Sequence, residues 1–282
     1  MSEPATVTPA YGGQGLALLR TLAARGSSTF STEAARDAAR EAGVSPSYLP
    51  VLLHRLERSG WLQRIKHGTY ALTSGFAGFP EAHPFAVAMA LVEPCAISGW
   101  SALNHHGLTE QIPHVVTLTT PKRVVTPAMR GAVHAAPSTW DVAGQRFEIV
   151  VVVPPRFFGD EEIWLGDSRV RIFDRERALL DCFALPRRFG GLAEGLGVLE
   201  EHLRDIDVKR LVAHALRYGA DVVAKRVGFA LERFGVGEEV VEPLRALPMR
   251  GFRALDPTRD PRGPRNRRWG LIENLASPRT KR

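Results

Sequence analysis

The stretch SPSYLPVLLHRLERSGWLQRIKHGTYAL, residues 45–72, decides the N-terminal fold. Leu49, Leu52, Leu53 and Leu56 recur at i, i+3, i+4 and i+7, the spacing of one buried helix face. Ser47 stands where a cap is expected, with Pro50 in the first turn, where a missing N–H costs little. The opposite face carries Ser47, Tyr48, Val51, His54, Arg55 and Arg58. After Gly60 the pattern changes to two short β-prone runs around Lys66-His67-Gly68, which predicts a hairpin.

Upstream, Leu16, Leu19, Leu22 and Ala23 fall at helical spacing before Gly26. Ser31-Thr32-Glu33 then opens an Ala-rich second helix that stops at Gly43. Three helices followed by a basic-tipped hairpin is the winged helix-turn-helix order, expected over residues 1–75, with 1–12 as an irregular lead-in. In that fold the first residues of the recognition helix reach base edges in the major groove. Ser47, Tyr48 and Val51 are the expected base readers. Arg55 and Arg58, with His54 on the same face, are expected nearer the phosphates. Arg64, Lys66 and His67 would set the wing on the backbone or minor groove. A winged helix also serves as a protein-docking module, so an interaction adaptor that binds a toxin or other partner directly is the alternative reading.

A linker is expected over 76–84, rich in glycine and proline, and a larger domain over 85–255. The reading there is helix at 85–91, a short run at 95–98, helix at 100–106 ended by Gly107, and strands at 114–120, 124–125, 147–153 and 170–173. The run Phe147 to Val153 is apolar apart from Glu148 and does not alternate, which suits a strand covered on both faces. Helices follow at about 174–185, 191–204, 207–218, 221–234 and 239–247. The fold class is α+β: a winged helix-turn-helix plus a larger α+β domain with a mixed sheet and a C-terminal helical block.

The net charge of +7 is unevenly spread: residues 1–75 carry +3, residues 76–244 carry −4 and residues 245–282 carry +8. Basic ends around a slightly acidic centre suit a protein whose ends touch a polyanion. Residues 256–282 read as an Arg/Pro-rich basic tail whose composition does not pack a core. Arg262, Arg265, Arg267 and Arg268 would either lie along DNA phosphates or be merely solvated, although Trp269-Gly270-Leu271-Ile272 has the look of a strand that docks back.

No apolar run approaches the roughly 20 residues that span a bilayer, and the first residues lack the pattern of a secretory signal, so a cytoplasmic protein is expected. Cys95 and Cys182 have no CxxC context and read as two buried thiols. His105 and His106 are adjacent on a helix, point apart and cannot chelate one ion as an i, i+4 pair would. Asp205-Ile206-Asp207 lacks the Gly-Ser turn of a nucleotidyltransferase, Glu148 lacks a following lysine of the nuclease kind, and no phosphate loop or nucleophile elbow occurs. No catalytic residue, metal site or cofactor is expected.

Five stretches of the second domain carry a resemblance: SGWSALNHHGL (98–108), HVVTLTTPKR (114–123), FEIVVVVPPRFFG (147–159), RERALLDCFALPRRFGGL (175–192) and RNRRWGLIENL (265–275). Together they resemble the AbiEi family of antitoxins and transcriptional regulators, over roughly residues 45–275. The resemblance implies a winged helix that binds double-stranded promoter DNA and represses its own operon. It implies a second domain that counters a cognate nucleotidyltransferase-like toxin. It assigns no individual neutralising residue.

Overall fold

The computed structural model describes residues 13–26, 28–73, 82–126, 139–142 and 144–275. The lead-in 1–12, most of the expected linker and the last seven residues lie outside that set. The chain divides into two compact units, one of residues 1–93 with 141–145 and 163–170, the other of 94–140, 146–162 and 171–282.

In the first unit, helices α1 (Gly13–Ala24), α2 (Thr32–Glu41) and α3 (Leu49–Arg58) surround one core, with strands β1 (Thr29–Ser31), β2 (Leu62–Lys66) and β3 (Thr69–Leu72) beside them. The core holds Leu18, Leu19 and Leu22 from α1, Ala35, Ala38 and Ala39 from α2, and Leu49, Leu52, Leu53 and Leu56 from α3, all buried. The leucine spacing therefore has the predicted consequence: a 3.6-residue period puts these side chains on one face. Ser31 caps α2 by accepting from the Ala34 amide at 3.1 Å. Gly26, Gly43 and Gly60 each take positive φ at the helix ends, the left-handed conformation that glycine adopts without a Cβ penalty.

Strand β1 is not marked by periodicity, because three residues offer too short a window. It pairs antiparallel with β3 and gives the order β1-β3-β2. Helix α4 (Pro84–Leu91), expected at the head of the second domain, falls in the first unit and packs against β1 and β2. Its sequence is apolar all round, so it can bury Ala86, Val87, Ala88 and Leu91 without an amphipathic pattern to announce which side it covers.

The larger sheet has the order β6-β7-β5-β4-β9-β8. Its strands are β4 (Ala96–Ile97), β5 (Val115–Thr120), β6 (Thr139–Val142), β7 (Gln145–Val151), β8 (Asp160–Leu165) and β9 (Ser168–Phe173). It is mixed: β4 runs antiparallel to β5 and parallel to β9, and β5 runs parallel to β7. Residues 124–125 are not a strand, and the apolar run ends as strand at Val151, with Val151 and Val153 about half exposed. The apolar run thus overstates the cover at its end. Strand β8 carries no apolar signal in its first half, where Asp160, Glu161 and Glu162 stand in a row.

Helix α5 (Gly99–His105) lies between β4 and β5 in sequence, and α6 (Arg175–Ala184), α7 (Leu192–His202), α8 (Val208–Arg217), α9 (Asp221–Arg233) and α10 (Glu238–Arg245) form the helical block. Each lies within three residues of its expected boundaries. His106 caps the end of α5, and its Nε2 lies 2.7 Å from the Phe173 carbonyl oxygen, a core hydrogen bond.

The C-terminal segment departs from the tail reading. Strands β10 (Arg253–Ala254), β11 (Arg265–Asn266) and β12 (Leu271–Ile272) form a small sheet, ordered β10-β12-β11. Leu255, Trp269 and Leu271 are buried, and these three apolar side chains dock a run that is otherwise rich in arginine and proline. A polar lock completes it. The buried Asp256 carboxylate accepts from the Leu192 amide at the start of α7 and from Thr258, while Asn274 spans the Asp256, Arg259 and Asp260 carbonyls. Arg226 ties the same sheet to α6 through the Ala254 and Phe183 carbonyls.

Candidate nucleic-acid interface

The face of α3 opposite its leucines presents Val51, His54, Arg55 and Arg58, all exposed, at i, i+3, i+4 and i+7. Val51 is 46% exposed, an apolar side chain left in water on a helix that buries its other aliphatic residues. Such a group suits the methyl of thymine in a major groove. Neither Arg55 nor Arg58 meets an acidic partner among the described residues, so both guanidinium charges are uncompensated.

Ser47 does not cap α3. Its hydroxyl pairs with that of Ser45 at 2.8 Å, and the Ser45 carbonyl accepts from the Tyr48 and Leu49 amides at 3.1 Å each. Tyr48 occupies the cap position in helical conformation, which leaves no side-chain cap there. The reason is local: Ser45-Pro46 starts a turn of its own one step earlier, and that turn satisfies the amides that Ser47 would have served. Ser47 remains exposed beside the helix start.

Tyr48 is half-buried against the core, and its phenol oxygen accepts from Arg55 Nη1 at 3.0 Å. The Arg55 guanidinium lies 5.8 Å from that ring's centre. Tyr48 thus orients Arg55, a role that spacing alone did not reveal.

On the hairpin, Arg64 Nη2 meets His67 Nδ1 at 3.0 Å and both are exposed. The turn is anchored to α2: Thr32 donates its amide to the Gly68 carbonyl at 2.8 Å and its hydroxyl to the same oxygen at 3.2 Å. Lys66 faces elsewhere. It is half-buried, and its ammonium donates to the Leu91 carbonyl at the end of α4 at 3.1 Å. A cation at a helix C-terminus is favourably placed against the dipole. The hairpin register slips between Arg64 and Lys66, and this irregularity sends the two neighbouring cations to different partners.

Of the C-terminal arginines, Arg262, Arg265 and Arg267 are exposed. Arg268 turns back to Glu232 and Glu238 and is neutralised there.

The second unit contains a buried polar network that sequence spacing did not flag. Asp174 caps α6 through the Arg177 amide at 2.7 Å, and its carboxylate also meets His214 Nε2 at 2.9 Å. Burial alone would raise the Asp174 pKa, but the His214 and Arg177 hydrogen bonds outweigh it and hold the carboxyl below its ordinary value. Arg177 and Asp181 form an ion pair one helical turn apart, both nearly fully buried, with the guanidinium stacked on Phe158, Phe173 and Tyr218. Burial pushes the Asp181 carboxyl up, and it pushes the Cys182 thiol well above its ordinary value. In this network Asp174 is committed to its helix cap and Arg177 to its partner, so the pairing reads as packing chemistry. Among the described residues no group of three or more His, Cys, Asp or Glu is arranged to hold a metal ion. No helix is long and apolar enough to cross a membrane among those residues. Cys95 and Cys182 are both buried, and neither is in a disulfide.

No curated protein matches the chain. Among solved structures, the crystal structure of the RV2827C protein from Mycobacterium tuberculosis superimposes with a TM-score of 0.67 at 15% identity, covering 98% of this chain and 96% of that one. At that identity the likeness is one of fold. The family match falls on the helices and hairpin just described: residues 17–73 match the family described as transcriptional regulator, AbiEi antitoxin.

Proposed function

We propose that the chain is a DNA-binding transcriptional autorepressor and the antitoxin of an AbiE-type toxin–antitoxin pair, acting without catalysis of its own. One observation carries the DNA-binding reading: the exposed face of α3 joins an unburied Val51 to two uncompensated arginines, next to a wing that presents Arg64 and His67. A winged helix kept only as a scaffold has no need to leave those groups in solvent.

In this reading α3 enters the major groove of double-stranded promoter DNA. Ser47 and Val51 face base edges, with His54 beside them. Arg55, held by Tyr48, and Arg58 take phosphates, which fix register. Arg64 and His67 place the wing on the adjacent backbone, and Lys66 holds the wing's base in position. The second unit is the part that counters a nucleotidyltransferase-like toxin, as the AbiEi likeness of residues 17–73 suggests for the whole chain.

The test is a gel shift of the purified protein on its own upstream DNA against excess random competitor. A discrete complex that survives competitor is the expected result. Smearing lost to competitor, with stable capture of the neighbouring gene product, would replace this reading with the adaptor.

A further inference from the structure

The arginines near the C-terminus do not trail into solvent; they are displayed on a folded scaffold. Arg250, Arg253, Arg262, Arg265 and Arg267 are all exposed, and none has an acidic partner among the described residues. Asp260 is exposed between Arg259 and Arg262, and four other nearby acids are engaged elsewhere. Asp256 is buried in the lock at α7 and is the acid that Arg259 faces, Glu273 accepts from Asn266, and Glu232 and Glu238 take Arg268. Arg259 and Arg268 thus show what a structural arginine looks like in this segment, and the other five do not share that arrangement.

The sheet also has an apolar outer face. Across the register, Ala254, Ile272 and Arg265 lie side by side, and Phe252 shares their face two residues before Ala254. Phe252, Ala254 and Ile272 are all only half-buried. The Arg265 guanidinium lies 5.4 Å from the centre of the Phe252 ring. A planar cation on an aromatic ring, in a segment that also exposes Arg262 and Arg267, is the chemistry that receives an unstacked base while its phosphates are neutralised. A duplex offers phosphates but no free base face, so the aromatic element favours a single strand.

We propose that this C-terminal sheet is a second nucleic-acid surface, distinct from the winged helix, that binds single strands: Arg262 and Arg267 take phosphates, and the Phe252–Arg265 pair takes a base. The proposal does not depend on promoter recognition by α3.

Fluorescence anisotropy of the full chain tests it, with a labelled oligouridylate, an oligothymidylate of equal length and a duplex of unrelated sequence. The single strands are expected to bind more tightly than the duplex at moderate salt. Preference for one of the two single strands identifies RNA or DNA as the source. Phe252→Ala should weaken single-strand binding about tenfold and leave duplex binding unchanged. The pair Arg262→Ser with Arg267→Ser, both outside strands and so safe for folding, should flatten the log–log salt dependence by about 1.4, two phosphates at roughly 0.7 each. Arg55→Ala with Arg58→Ala should leave single-strand binding intact, which separates this surface from the winged helix. Wild-type single-strand affinity and salt dependence in the Arg262/Arg267 variant would overturn the proposal. So would loss of single-strand binding in the Arg55/Arg58 variant, or equal effects of Phe252→Ala on duplex and single strand.

Discussion

Gly228, in the middle of α9, lies directly beneath the indole of Trp269: a Cβ at that position would overlap the ring's outer carbons. Trp269 is fully buried, and its Nε1 donates to Glu232 at 2.6 Å, one turn further along the same helix. A glycine inside a helix ordinarily costs about 1 kcal/mol relative to alanine. Here it creates the recess that docks the C-terminal sheet. Gly228→Ala should therefore destabilise the protein despite improving helix propensity, by about 1–3 kcal/mol from overpacking. Trp269→Ala should cost about 3–5 kcal/mol. Urea denaturation of the two variants checks both signs; a stabilised Gly228→Ala protein would mean that the indole does not occupy the recess.

The recognition-helix arginines should act through phosphates. Arg55→Ala and Arg58→Ala should each lower promoter affinity at low salt and flatten the log–log salt dependence by about 0.9. Tyr48→Phe should produce a weaker form of the Arg55 effect, since it removes the phenol that orients the guanidinium at 3.0 Å. Val51→Ala should instead relax base preference with little change in salt slope, because its contact carries no charge. Salt titrations of operator binding distinguish the two behaviours.

Lys66 should behave unlike its neighbour Arg64. With its ammonium bonded to the Leu91 carbonyl, Lys66→Ala should lower stability by about 1 kcal/mol and change the salt slope of DNA binding little. Arg64→Ala should change the salt slope by nearly one phosphate's worth and leave stability almost untouched. Thermal melting and salt titration of both variants provide the comparison; a larger slope change for Lys66→Ala would show that the lysine leaves α4 to reach DNA.

Stability should fall in acid. Asp256 is buried, which raises its pKa, but the Thr258 hydroxyl and the Thr258 and Leu192 amides more than offset this and hold it below the ordinary carboxylate value. Asp174 is depressed in the same way by His214 and the Arg177 amide. A carboxyl whose folded pKa lies below its unfolded value, about 4, contributes stability that is fully present above that pH. The contribution is lost as pH falls through the folded value. Urea midpoints should therefore be flat near neutrality and fall below about pH 4. Asp256→Asn should lower stability at neutral pH by about 1–3 kcal/mol and remove part of the acid dependence.

The helices of both units were legible in the sequence because their information is local. Leucine period, the Ser31 cap and turn glycines such as Gly43 and Gly60 act over a few residues, and a 3.6-residue repeat cannot be satisfied by another structure. The exposed face of α3 follows from the same period, which is why Val51, His54, Arg55 and Arg58 were found together. What lay beyond the sequence depends on partners far along the chain. Strand β1 is defined by pairing with β3 some 40 residues later, from Thr29 against Ala71 to Ser31 against Thr69. Lys66 was set apart from Arg64 by a carbonyl on α4, 25 residues away. Composition read the C-terminal arginines as a tail. The fold made them a surface, because Gly228 and Asp256 offer an apolar recess and a polar lock whose partners no nearest-neighbour pattern records.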